Sequence, residues 1–193
     1  MGLGFFIHTM QSGNEVLLKN MTEQKTQESI KSIIGDYENF LDRIFDSLKE
    51  SGFSMDEFKE LDHIAYRTES LENYEKIKKG LLEFSQNYSD KIFGGRPVLV
   101  CRLKEPLSYD NFMIEGIEVL APKGDNKFKE GLEHAEFITK TTLSEFREKH
   151  NNISFNLDAY AREDNPELIV ELKDCAAKFH MQSLLEVRGI NKV

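Results

Sequence analysis

The sequence predicts an α+β protein in which an N-terminal helical segment precedes two βαβββ modules that form a curved, barrel-like mixed sheet around a cavity. Three observations predict it. The phrase LDHIAYRT, Leu61 to Thr68, recurs as LEHAEFIT, Leu132 to Thr139, with leucine, histidine and threonine in register. The separation from His63 to Glu118 nearly equals that from His134 to Glu186, and both glutamates sit between an apolar residue and a valine. Each half also carries the same order of local patterns: strand, helix, then three strands. A few shared letters arise by chance; matched pairs at matched spacing in matched element order point to a duplicated unit.

Residues 1–28 are expected to form a disordered leader, with Met21 as an alternative start. MGLGFFIHTM lacks the basic region of a signal peptide, and Phe6 stands where N-myristoylation wants Ser or Thr. From Ser29 to Glu50 the apolar residues Ile30, Ile33, Ile34, Tyr37, Phe40, Leu41, Ile44, Phe45 and Leu48 step by three and four. That spacing predicts one amphipathic helix, stopped at Gly52. With a short helix through MDEFKEL it makes a helical segment over 29–58 that packs against the barrel. The paired domain covers 59–193, with modules of about 59–122 and 131–193.

In the first module DHIAYRT reads as a strand, and Ser70 caps a helix from Leu71 to Tyr88. FGGRP turns the chain, and VLVCRL and FMIEGIEVLAP are strands closed by Pro106 and Pro122. In the second module LEHAEFIT is a strand and TLSEFREKH a helix capped by Thr141 or Thr142. ISFNLDAY, ELIVEL and AAKFHMQSLLEV read as three more strands. His150, beside Asn151 and Asn152, reads as an exposed helix end.

Composition bounds the function. Hydrophobic residues are 39% and charged residues 31%, which suits a water-soluble globular chain. Acids outnumber bases 34 to 25, a formal charge of −9, so the basic footprint that nucleic acid requires is missing. No apolar run approaches the roughly 20 residues that span a bilayer. Cys101 and Cys175 form no CxxC pair and read as reduced thiols in a cytoplasmic protein. The expected partner is a small molecule rather than nucleic acid or a membrane.

Strand parity then selects the chemistry, since alternate side chains share a face. In DHIAYRT, His63 and Arg67 face one way and Ile64 and Tyr66 the other. In LEHAEFIT, His134 and Glu136 share the inward face, and Glu118 shares its face with Gly116. His180 and Glu186 have the same parity at the end of the chain. Two imidazoles and two carboxylates on concave strands suit one divalent ion: zinc, nickel, iron, manganese or cobalt. Four protein ligands on a six-coordinate ion leave two positions for a bidentate oxygen substrate. Glu136 is the candidate general base beside the ion. Arg67 could hold a substrate carboxylate in a two-pronged grip, and Arg96 and Arg102 are further candidates for substrate binding.

ELDHIAYRT, FGGRPVLVCRLKEP, IEVLAPKG, EGLEHAEFI and KFHMQS together resemble the YecM-like family of proposed metal-binding proteins. That family belongs to the vicinal oxygen chelate superfamily, with glyoxalase I, extradiol dioxygenases, methylmalonyl-CoA epimerase and the bleomycin-resistance proteins. The resemblance covers roughly Phe53 to Glu186. It implies metal ligands at His63, Glu118, His134 and Glu186. The loop before the last glutamate is shortened to HMQS, which leaves His180 as the alternative fourth ligand. It further implies a metal-dependent lyase, isomerase or dioxygenase; the alternatives are a metal-free module that sequesters a small molecule, or a vestigial structural protein.

Overall fold

The structure, a computed structural model, describes residues 21–124 and 129–190. Residues 21–34 are helical (α1). Gly35, at φ +90°, ends this helix, and Asp36 opens the next, α2 (Tyr37–Glu50), its carboxylate accepting from the Asn39 amide at 3.3 Å. The single helix expected from Ser29 is therefore two, broken where glycine supplies a left-handed turn and aspartate a cap. The apolar stripe crosses the break intact: Ile30, Ile34, Tyr37, Phe40, Leu41, Ile44, Phe45 and Leu48 are all buried. Residues 21–28, expected to belong to a disordered leader, are helical; residues 1–20 lie outside the described part.

The remaining elements run β1 (Phe58–Arg67), α3 (Leu71–Leu82), β2 (Ser85–Phe93), β3 (Arg96–Tyr109), β4 (Phe112–Leu120), β5 (Gly131–Thr139), α4 (Leu143–Lys149), β6 (Leu168–Glu171), β7 (Ala176–His180) and α5 (Leu184–Val187). Seven strands form one mixed sheet in the order β2-β3-β4-β1-β5-β7-β6. It is open, with β2 and β6 at its edges, and not a closed barrel. The duplication is visible in the pairing. β1 runs parallel to β4 as β5 runs parallel to β7, and the two modules join where β1 meets β5 antiparallel.

Five further expected elements differ. MDEFKEL is only a 3₁₀ turn at Met55–Glu57, and Phe58 to Leu61 already belong to β1. Pro106 does not close its strand, since β3 runs on to Tyr109. The helix from Leu71 ends at Leu82, and the residues read as its last turn begin β2, where polar residues alternate in burial along an edge strand. ISFNLDAY is not a strand: it touches the sheet through one bridge, Asn156 to Ile169, and then turns. The Asn156 side chain accepts from the Asp158 amide at 2.9 Å, so a local turn outcompetes the ladder. The second module thus contributes three strands to the first module's four. Finally, AAKFHMQSLLEV is a strand only to His180; Ser183 then caps α5, its hydroxyl accepting from the Leu185 amide at 3.2 Å.

One face of the sheet carries the core. Ile64, Ile117, Val119, Ala135, Phe137, Ala177 and Phe179 meet α1, α2 and α3 there, around rings that include Phe45, Phe53, Phe58 and Phe146. His150 belongs to this region and is not an exposed helix end. It is buried, its ring 4.2 Å from that of Phe53, and its Nε2 lies 2.8 Å from Glu57 Oε2. Cys101 is buried and Cys175 half-buried, both as free thiols, and burial pushes Cys101 up to about 11. The other face holds the polar cluster described next. Part of it is covered by a second, small apolar group: Ala65, Val98, Val100, Leu120, Leu185 and Ile190. No helix among the described residues is long and apolar enough to cross a membrane.

Candidate metal centre

The cluster forms where the modules meet. Antiparallel register sets His63 opposite Glu136 and Ala65 opposite His134, so both imidazoles project from the same face of adjacent strands. Their ring centroids are 6.3 Å apart. Glu118 enters from β4, where it pairs with Ala65. Ligand atoms of His63, Glu118, His134 and Glu136 all lie within 4.8 Å of one another, and all four residues are buried. His134 Nε2 is 3.3 Å from Glu118 Oε2 and 3.1 Å from Glu136 Oε1; His63 Nε2 is 3.5 Å from Glu136 Oε2. A second group shares Glu136 with Glu167 and His180, also within 4.8 Å.

His63 and His134 are each preceded by an acid, and the strand geometry gives that acid a purpose. On a regular strand it would point to the opposite face. Register slips at both places: Asp62 is the extra residue of a bulge in β1, and Glu133 the extra residue of one in β5. The Asp62 carboxylate therefore reaches His63 Nδ1 at 2.8 Å and is itself held by the Leu184 amide at 3.0 Å. Glu133 lies 3.8 Å from His134 Nδ1 and grips Arg67 with both oxygens. An imidazole whose Nδ1 proton goes to a carboxylate offers Nε2 as a ligand, in fixed orientation.

Electrostatics favour a cation here. Burial works against every charge in the group. Even so, its pull on Glu136 is overcome by the charges of His63, His180 and Lys178, which hold the carboxyl well below the usual range. The nearness of His134 likewise keeps Glu118 low against its burial. Against burial and the Lys178 charge, the surrounding carboxylates push His134 up to about 9; Glu136 leads in raising His180 to the same value. Yet His63 Nε2, both nitrogens of His134 and His180 Nε2 are buried without a well-formed hydrogen bond. Carboxylates stand close to them but off the hydrogen-bonding angle, even at 2.8 Å between His180 Nε2 and Glu136 Oε2. Converging nitrogens and carboxylate oxygens that fail to satisfy one another match the donor set of a divalent metal.

Of the expected residues, the structure brings His63, Glu118, His134 and Glu136 together, with His180 beside Glu136. Glu186 is corrected. It is exposed on α5, in a separate cavity with Glu60, Asp62, Arg102 and Glu115, because its expected strand is a helix. Register also names the true counterpart of Glu118. Glu118 pairs with Ala65, two residues past His63; two residues past His134, Glu136 pairs with Lys178. In the second module the carboxylate stands one strand over, and a lysine holds the equivalent place. Lys178 Nζ lies 3.2 Å from Glu136 and 3.7 Å from Glu167.

The three arginines expected to bind substrate stand elsewhere. Arg67 is engaged by Glu133, and Arg102 by Glu115 and the Ile190 carbonyl. Arg96 is half-buried, 3.5 Å from the Ala121 carbonyl, and burial and Arg67 lower its pKa. None of them lines the cavity that opens onto the cluster. That cavity, about 60 Å³, is bounded by Glu118, Glu136, Glu167, Lys178 and His180, with Phe93, Arg162 and Arg188 among its other walls. The sequence reading missed Asp62 as an orienting group, and missed Glu167, Lys178 and Arg188. The repeated acid-histidine pair was a usable signal for Asp62; the others become visible only once the strands are in register.

The family model described as YecM protein matches residues 29–173. A relative from Haemophilus influenzae (strain ATCC 51907 / DSM 11121 / KW20 / Rd), described as an uncharacterized protein, is 28% identical over 129 residues, 65% of this chain and 67% of that one. The solved structure described as "Structural Genomics, Protein EC4020" superposes with a TM-score of 0.63 at 22% identity, covering 77% of this chain and 86% of that one. At that identity the likeness is one of fold.

Proposed function

This chain belongs to the YecM family, of vicinal oxygen chelate fold, and from that premise we propose that it binds one divalent metal ion between its modules and acts on a small, oxygen-rich substrate, as a lyase, isomerase or dioxygenase. The supporting observation is the set of buried, unsatisfied imidazole nitrogens facing Glu118 and Glu136. His63, Glu118, His134 and Glu136 would hold the ion. When bound, it supplies Lewis acidity to two neighbouring substrate oxygens.

The chain's own residues do the rest. Asp62 fixes the His63 tautomer, and Glu133 stands behind His134. Lys178 keeps Glu136 ionised. Glu136 is the group that accepts a substrate proton, at Oε2, and His180 Nε2 lies 2.8 Å from that oxygen. The test is elemental analysis after reconstitution with zinc, nickel, iron, manganese or cobalt. Wild type should take up about one equivalent, and His134→Ala less than about a tenth. Uptake below a tenth by the wild type sinks the reading. Lys178 supports a second reading, a metal-free small-molecule binding module, since its ammonium already pairs with Glu136 and Glu167.

A further inference from the structure

At the mouth of the same cavity Arg188 stands in an unusual state for a half-buried guanidinium. Arg162 pairs with Glu167 at 3.3 Å, and Lys178 pairs with Glu136 and Glu167. Among the described residues no carboxylate pairs with Arg188, and its Nε is buried without a hydrogen-bond partner. The side chain is nonetheless fixed. Its guanidinium carbon lies 4.4 Å from the centroid of the Phe93 ring, and Arg162 approaches the same ring at 5.8 Å. A guanidinium held by its face keeps its edge donors free, in the planar fork that matches a carboxylate. Phe93 ends β2 and Arg188 follows α5, so the rim joins the first module's edge strand to the last described helix.

Of the lysine and arginine side chains on this cavity wall, Arg162 and Lys178 already pair with carboxylates, which leaves Arg188 for an added anion. We infer that the ligand carries a carboxylate remote from its chelating oxygens, and that Arg188, stacked on Phe93, is the residue that selects it. This rests on the metal reading above for the chelating end alone; the anion grip itself needs only Arg188 and Phe93.

Calorimetry with matched α-hydroxy acids tests it: 2-hydroxybutyrate against malate, and 2-hydroxypentanoate against 2-hydroxyglutarate. Each pair chelates alike and differs by a distal carboxylate at one of two reaches. The manganese-loaded protein should bind at least one dicarboxylate about tenfold or more tighter than its monocarboxylate partner. Arg188→Gln should reduce that preference to within about twofold, with monocarboxylate affinity and manganese uptake unchanged; Arg188→Lys should restore only part of it. Equal affinities within both pairs, no binding of any of the four acids, or a preference that survives Arg188→Gln would overturn the inference. Titrations without metal separate the two readings. An Arg188-dependent preference in a chain that takes up no manganese keeps the anion grip and removes the metal. Manganese uptake with no such preference does the reverse.

Discussion

Gly116 shows how closely the sheet is fitted around one imidazole. It sits opposite His63 on β4, and a Cβ added there would lie 2.8 Å from His63 Cβ and 3.3 Å from both the Asp62 carbonyl and Leu185 Cδ1. No side chain tolerates that approach, so His63 or the strand must move. Gly116→Ala should weaken metal binding about tenfold or more, the range expected when a ligand's support is disturbed, while the fold survives with a loss of about 1–3 kcal/mol. Titration with manganese, followed by a denaturant melt, checks both; unchanged affinity would show that the added methyl leaves the His63 ligand atom in place and defeat the prediction. Residues of this kind were partly legible. His63 and His134 came from the repeated phrase, Glu118 from its spacing to His63, and Glu136 from strand parity. Glu186 failed because a matching triplet at a matching distance is a weaker constraint than register, which puts Lys178 in that place. Asp62 and Glu133 were visible as letters, but their reach to the histidines depends on two bulges that no alternation rule foresees.

Among the elements, the turn of 3₁₀-helix at Met55–Glu57 does more than lead into β1. Glu57 accepts from the Ser54 amide at 2.8 Å, closing the cap, and receives His150 Nε2 at 2.8 Å and Lys149 Nζ at 3.0 Å from the end of α4. It therefore ties the N-terminal segment to the second module. Burial resists its charge, but these partners hold its carboxyl below the usual range. A depressed carboxyl stabilises the fold above its unfolded value near 4.5 and loses that contribution as pH falls through the folded value. Glu57→Gln should cost about 1 kcal/mol at neutral pH, with the difference from wild type shrinking toward pH 3. Melts across that range decide it; a gap that stays constant would mean the charge is idle. Element boundaries were legible where pattern and cap agreed, as at Ser70 with α3 and Thr142 with α4. They were lost where a local side-chain bond overrode the pattern: Asp36 splitting the first helix, Asn156 turning ISFNLDAY out of the sheet, Ser183 starting α5.

At the scale of the whole molecule the duplication creates the site and then departs from symmetry. The two histidine strands meet antiparallel at the centre of the sheet, so neither module holds the cluster alone: His63 and Glu118 come from one, His134 and Glu136 from the other. The second module, one strand short, puts Lys178 where the first has Glu118, which makes the two ends of the cavity chemically different. An ion bound across this join takes its four ligands from both halves of the folded chain. It should therefore stabilise the molecule as a unit, by about 2.7 kcal/mol when the free metal exceeds its dissociation constant a hundredfold. For a chain of this length that is a rise of roughly 5–10 °C in a single transition, since each kcal/mol moves the midpoint by about 2–4 °C. Differential scanning calorimetry with manganese, then with excess chelator, measures it. The same gain should be absent in Glu118→Gln and in Glu136→Gln alike, because removing a ligand from either module opens the join. A gain that survives one of these substitutions would assign the ion to a single module and defeat the shared-site reading.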